Sequence, residues 1–185
     1  MKGDRTYIRR WTPWALGALV SLLFSCIGPP QGVRPVGDFR LERYLGLWYE
    51  IARLDHRFER GLTDVSAVYS LREGGGIEVL NRGFDPASGK WKEIRGQAHP
   101  VGSEGRGSLK VSFFGPFYGG YHIIQLDEAD YGHALVCGPT RSYLWILARN
   151  SRLDRETTAR LIETAKELGF KTDELIFVSH EKQGS

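Results

Sequence analysis

The stretch Ser108-Leu109-Lys110-Val111-Ser112-Phe113-Phe114 places Leu109, Val111 and Phe113 on one face and Ser108, Lys110 and Ser112 on the other. Side chains alternate across a strand with period two, so this is a strand with one face in a core and one in water. Gly115-Pro116-Phe117 follows as turn chemistry, and a second apolar-rich run over 119–126 reads as its antiparallel partner. Working outward in both directions, the same cycle of strand and turn recurs. It predicts eight strands, at about 47–55, 65–71, 77–84, 90–99, 108–114, 119–126, 133–138 and 143–149. Most connections are short and carry Gly, Pro, Asp or Ser; the one over 56–64 is longer and reads as a portal loop.

After the eighth run, Asp154 caps a helix. Leu161, Ile162, Ala165 and Leu168 form its single apolar stripe, Glu156 and Arg160 pair at i,i+4, and Gly169 closes it. A short strand over 175–178 follows. Eight antiparallel strands and one helix do not make a two-faced sandwich, because the helix would cover a face already covered. A closed barrel with the helix packed outside removes the sheet edges instead. The expected fold is all-β: an eight-stranded antiparallel up-and-down barrel with one C-terminal α-helix on its outer wall.

The 185 residues, 41% apolar and 25% charged, suit one domain. The net charge of +3 is contributed by the first 25 residues, where Lys2, Arg5, Arg9 and Arg10 face only Asp4. The remainder is neutral and lacks the basic footprint of a nucleic-acid binder. The uncharged run Ala15–Phe24 is too short to span a bilayer and matches the apolar core of a secretory signal. It ends in Leu23-Phe24-Ser25-Cys26, which resembles a bacterial lipobox. That resemblance implies cleavage before Cys26, lipidation of its sulfur and new amino terminus, and, with Ile27 rather than Asp next, an outer-membrane address. The resulting division is a lipoprotein signal over 1–25, the lipidated Cys26 with an extended Pro/Gly-rich tether to residue 37, a domain over 38–181, and a tail over 182–185. Cys137, in an apolar run, is the other cysteine, so a disulfide scaffold and a cysteine-based metal site are excluded.

Alternation assigns the inward side chains. They are Val65, Ala67, Tyr69 and Leu71; Val79 and Asn81; Ile94, Gly96 and Ala98; Val111 and Phe113; Tyr121 and Ile123; and Tyr143, Trp145 and Leu147. Leu144, Ile146 and Ala148 face the helix. The small inward residues leave space between aromatics with polar tips, so a cavity for one small ligand is expected, a barrel plugged by its own side chains being the other outcome. The candidate ligand-binding set is Ala67, Tyr69, Val79, Asn81, Ile94, Ala98, Val111, Phe113, Tyr121, Ile123, Tyr143 and Trp145. Arg53, His56, Arg57 and Arg60 could meet an anionic head group at the mouth, although interspersed acids make a solvated charged loop the simpler reading.

Gly46-Leu47-Trp48-Tyr49-Glu50 resembles the G-x-W signature of the lipocalins, and Arg149 matches the arginine that packs on that tryptophan. Asp130-Tyr131 falls where the family has its second motif, with Ala129 in place of the usual Thr. Gly46, Trp48 and Arg149 are structural by this resemblance. Longer stretches, Tyr49–Arg53, His56–Gly61, Val111–Tyr121 and His133–Pro139, are similar to the bacterial outer-membrane lipoprotein lipocalins of the Blc type, relatives of apolipoprotein D. The resemblance covers about residues 38–180. It implies a carrier of lysophospholipids or long-chain fatty acids in envelope maintenance or stress, lipid-anchored at the outer membrane with its barrel in the periplasm, without cofactor; some members dimerise. Haem or pigment carriage would need His122 or His133 inside, whereas alternation puts both outside. Catalysis would need a nucleophile beside a base, and there is neither a G-x-S-x-G turn nor an evident base for Cys137.

Overall fold

The computed structural model describes residues 27–182. The signal segment, Cys26 and the last three residues lie outside that range. Eight strands form the barrel: β1 Gly46–Arg53, β2 Thr63–Leu71, β3 Ile77–Asp85, β4 Lys90–Pro100, β5 Ser108–Phe114, β6 Phe117–Leu126, β7 His133–Cys137 and β8 Leu144–Ala148. Each pairs antiparallel with its sequence neighbour, and β1 pairs with both β2 and β8, closing the barrel. A one-turn helix, α1 Leu41–Tyr44, precedes β1, and α2 Arg155–Glu167 follows β8. The expected strands differ from these by one or two residues at their ends.

The closed end is built around β1. Trp48, fully buried, stacks under the Arg149 guanidinium, which lies 3.9 Å from the ring centroid. Arg149 also donates to the Leu47 and Arg43 carbonyls at 2.8 Å each. The Trp48 indole N–H donates to the Tyr44 carbonyl at 2.7 Å, locking α1 across the barrel floor. Cation–π attraction here is worth about 0.5–2 kcal/mol, and the carbonyls Arg149 satisfies would otherwise end strands unpaired. Gly46 enters β1 at φ +94, a conformation that favours glycine.

Two apolar cores result from the two faces of the wall. Inside are Trp48, Tyr69, Val79, Ala98, Leu109, Ile123, Val136 and Leu147. Outside, α2 covers Ile51, Ala52, Leu135, Cys137, Leu144, Ile146 and Ala148 with Leu161 and Ala165. Asp154 caps α2 as expected, accepting from the Thr157 amide at 2.8 Å. Arg160 does not pair with Glu156; its guanidinium reaches the Thr157 hydroxyl at 3.3 Å instead.

Two regions depart from expectation. Leu71, by parity an inner residue, is 63% exposed, because β2 runs past the barrel floor at that point. The segment 27–37, expected to extend away as a tether, is laid along the wall. The Val36 amide donates to Ile123, the Gly107 amide donates to Val36, and Val33 and Pro30 are buried. Prolines that disfavour regular structure do not prevent packing when their neighbours find sheet carbonyls. The last strand, β9 Ile176–Phe177, pairs with Ala52 and Arg53 of β1 beyond the point where β2 leaves it. Asp64 and Val178 amides complete this seam with the Ser179 and Ile51 carbonyls.

Replacing Trp48 with alanine removes the floor's largest side chain. The expected cost is about 3–5 kcal/mol, read as a lower urea midpoint; an unchanged midpoint would refute the assignment of Trp48 to barrel closure.

Candidate functional site

The mouth is the end bounded by the β1–β2, β3–β4, β5–β6 and β7–β8 connections, opposite Trp48. The inner wall divides into a packed lower half and an accessible upper half. At the bottom, the Tyr121 hydroxyl bonds those of Tyr44 at 2.6 Å and Tyr69 at 3.0 Å. Burial pushes all three phenols well up, so they stay neutral. Val79, Ala98 and Ile123 are wholly buried in this region.

The candidate set therefore splits. Ala67, Val111, Phe113, Tyr121 and Trp145 lie in the inner core yet remain partly accessible. Asn81 faces Ala67 and Ile94 across the ladder, so both Asn81 and Ile94 share that inner face. Tyr143 stacks on Trp145 at the mouth, their centroids 6.1 Å apart. Partial accessibility of inward side chains means water reaches the upper barrel. Tyr69, Val79, Ala98 and Ile123 instead support the wall from below, with little or no surface for a guest. Small size does not guarantee space: the Phe113 ring fills the room over Gly96, where a Cβ would sit 2.7 Å from it.

The larger correction concerns charge. Arg53 and His56, whose simpler reading was a solvated loop, are 1% and 8% exposed; Arg57 and Arg60 are exposed as that reading has it. For Arg53 the cause is a β-bulge between Glu50 and Ala52. Strict alternation from Trp48 puts Glu50 inside and would put Arg53 outside, but one extra residue after Glu50 turns Arg53 inward as well. Arg53 bonds the Glu50 carboxylate oxygen at 2.6 Å and the Glu59 carbonyl at 2.7 Å. His56 Nε2 lies 2.9 Å from Glu59 Oε2, and the Trp145 indole N–H donates to the same oxygen at 3.2 Å. Glu50 and Glu59 were absent from the expected site. For Glu50 the signal existed, since it sits two residues from an inward tryptophan; Glu59 comes from a loop with no periodicity to read.

The two carboxyls behave as a pair. Burial, then repulsion from Glu59, push Glu50 well above the usual carboxylate range, with Arg53 opposing. Burial also disfavours ionised Glu59, but hydrogen bonds from His56, Glu50 and Trp145 together outweigh it and hold its carboxyl low. Burial and the neighbouring carboxyl thus favour the protonated form of Glu50, while Glu59 is favoured as the anion. Removing like charge from a buried site in this way lowers the cost of burying the Arg53 ion pair. Two polar atoms of the wall, Arg53 Nε and Asn81 Oδ1, have no hydrogen-bond partner among the described residues.

A lipocalin-like domain model matches residues 39–180. The chain is a lipocalin. It is 51% identical to the outer membrane lipoprotein Blc of Vibrio cholerae over 160 residues, covering 86% of this chain and 94% of that one. It is 50% identical to the protein of that name from Escherichia coli K12, covering 89% and 92% respectively. Apolipoprotein D of Mus musculus is 35% identical over 75% of this chain and 74% of its own. Insecticyanin from Manduca sexta, at 21% identity, shares the fold with a TM-score of 0.68 over 85% of this lipocalin and 89% of insecticyanin. Those relationships agree with the Trp48–Arg149 stack and the single outer helix.

Other chemistry is sealed off from the barrel interior. His122 and His133 lie on the outer face, as alternation requires. Ser108 Oγ is 3.1 Å from His122 Nδ1, but both residues are buried beneath the backbone of Ile27 and Gly28. Burial lowers the His122 pKa, against the pull of that backbone. The Cys137 thiol, under α2, is pushed up to about 12 by burial, which makes it inert at neutral pH.

Because folding raises the Glu50 pKa, this group stabilises the native state at low pH and loses that contribution as pH rises through its folded value. Glu50→Gln keeps a neutral donor in place. Its melting temperature relative to the parent is expected to climb from pH 5 to pH 8, at about 2–4 °C per kcal/mol. A constant difference over that range would show Glu50 to be ionised in the native protein.

Proposed function

We propose that this lipocalin holds lysophospholipids or long-chain fatty acids, tail down in the barrel and head group at the mouth. The observation that carries the proposal is the polarity gradient of the inner wall. Phe113, Val111, Ile94 and Ala67 offer an apolar sleeve, and the Glu50–Arg53–His56–Glu59 cluster stands above it on the mouth side. An amphiphile has this same order of parts. Burying its tail contributes about 0.8 kcal/mol per CH₂ before losses, and Arg53 Nε and Asn81 Oδ1 are donor and acceptor for polar atoms near the glycerol or carboxylate.

Residence at the outer membrane, anchored through a lipidated Cys26 with the barrel in the periplasm, is supported by the lipobox-like Leu23–Cys26 and by the similarity to bacterial outer membrane lipoproteins. Among the described residues no helix is long and apolar enough to cross a membrane. A role in holding or moving lipids during envelope maintenance or stress follows from that address and cargo.

Native mass spectrometry of protein taken from its own envelope is expected to find one bound amphiphile per barrel. Ala67→Phe, which fills the sleeve from an inward and partly open position, is expected to lower lysophospholipid affinity at least tenfold, equivalent to about 1.4 kcal/mol, while the protein stays folded by circular dichroism. Trp145→Ala is expected to weaken binding as well, through loss of the stack with Tyr143. Unchanged affinity in both variants would remove the barrel interior as the binding site.

A further inference from the structure

We propose that the mouth of the barrel is itself a bilayer-docking surface, seated on the membrane by Phe58, Phe114 and Phe117. These rings are 57%, 63% and 79% exposed, although phenylalanine is ordinarily buried. All three belong to the mouth: Phe58 to the β1–β2 loop, Phe114 and Phe117 as paired residues either side of the β5–β6 turn. Apolar rings raised together on two loops of one rim suit an interface that is apolar below and polar at its surface. Arg57, whose guanidinium lies 4.8 Å from the Phe58 ring centroid, and Lys90 are exposed cations of the same rim without an acidic partner among the described residues. Such cations suit anionic lipid head groups at a membrane surface.

The occupant is identified by where the described chain begins. Ile27 lies against β6 at Gly120, so close that a Cβ there would collide with the Ile27 carbonyl oxygen. The Gln31 carbonyl accepts from Arg141, a residue of the β7–β8 loop at the mouth, at 2.8 Å. Residues 27–31 are therefore held on the mouth half of the outer wall. Gly120 is three residues from Phe117, about 10 Å along the strand, and Cys26 immediately precedes Ile27. A lipid on Cys26 would enter the bilayer beside the rim, not at the end of a free tether. Packing of 27–37 converts an anchor into an orientation: mouth toward the lipid, floor toward the aqueous phase. A guest could then pass between bilayer and barrel without its tail crossing water. The inference rests on the Cys26 anchor and deepens the carrier reading without requiring it.

The test uses the full, lipidated chain reconstituted in vesicles of phosphatidylethanolamine and phosphatidylglycerol. Nitroxide labels are placed on Phe117→Cys at the mouth and on Leu71→Cys, exposed at the opposite end; Cys137 is buried and unreactive. The Phe117 label is expected to meet dissolved oxygen at least tenfold more readily than an aqueous nickel chelate, and the Leu71 label the reverse. A nickel-accessible Phe117 label would overturn the proposal, as would dipolar broadening of that label, which would make a second copy the occupant. Replacing Phe58, Phe114 and Phe117 together with serine, with the label moved to Gly115→Cys, is expected to return the rim to nickel accessibility; a rim that stays immersed in that variant would remove the phenylalanines as its cause. Lysophosphatidylethanolamine occupancy of the same samples, read by native mass spectrometry, separates the two readings. An empty barrel with an immersed label refutes carriage and supports docking, whereas a loaded barrel with a nickel-accessible label refutes docking alone.

Discussion

Pairing of β1 on both its edges is the constraint from which the rest of the molecule follows. A sheet of eight twisted strands has two open edges, and β1 joins them by bonding β8 on one side and β2 on the other. Closure fixes which face of every strand looks inward, and hence the whole inner wall. Trp48 and Arg149 hold that strand at the floor, where a ring, a guanidinium and three carbonyls are satisfied together.

The same strand also sets the chemistry of the mouth. Its bulge adds one residue after inward Glu50 and so turns Arg53 into the barrel beside it, and its upper half exchanges β2 for β9. The loop that leaves it carries His56 and Glu59 back over the opening. A charged cluster in a barrel is tolerable only if it is paired, and the opposite shifts of the two carboxyls, Glu50 up and Glu59 down, reduce the like charge held there. The interior is consequently graded, with phenols and packed aliphatics at the floor, an apolar sleeve above them and ionisable groups at the rim.

Alternation in the strands was sufficient to assign the faces of β2, β5 and β6, because a period of two leaves no choice once one inward residue is placed; β8 is apolar on both faces, and the helix over Leu144, Ile146 and Ala148 decides it. Ala67, Val111, Phe113, Tyr121 and Trp145 are inward for those reasons. Their depth was not legible. Val79 and Ile123 have the same parity as Ala67, yet only a three-dimensional arrangement says that they sit below Tyr121 and are covered. Gly96 reads as space until Phe113 is seen lying over it.

The amino-acid sequence by itself determined the strand count of the barrel, the outer helix with its Asp154 cap, and the Trp48 and Arg149 positions. Each of these is local: a period, a cap or a short motif. Tertiary structure alone decided that Arg53 and His56 are buried with Glu50 and Glu59, that residues 27–37 lie on the wall, and which inner residues water can reach. A bulge breaks parity without changing composition, and burial of a polar group depends on partners brought from distant segments, so neither is written in any one stretch of the chain.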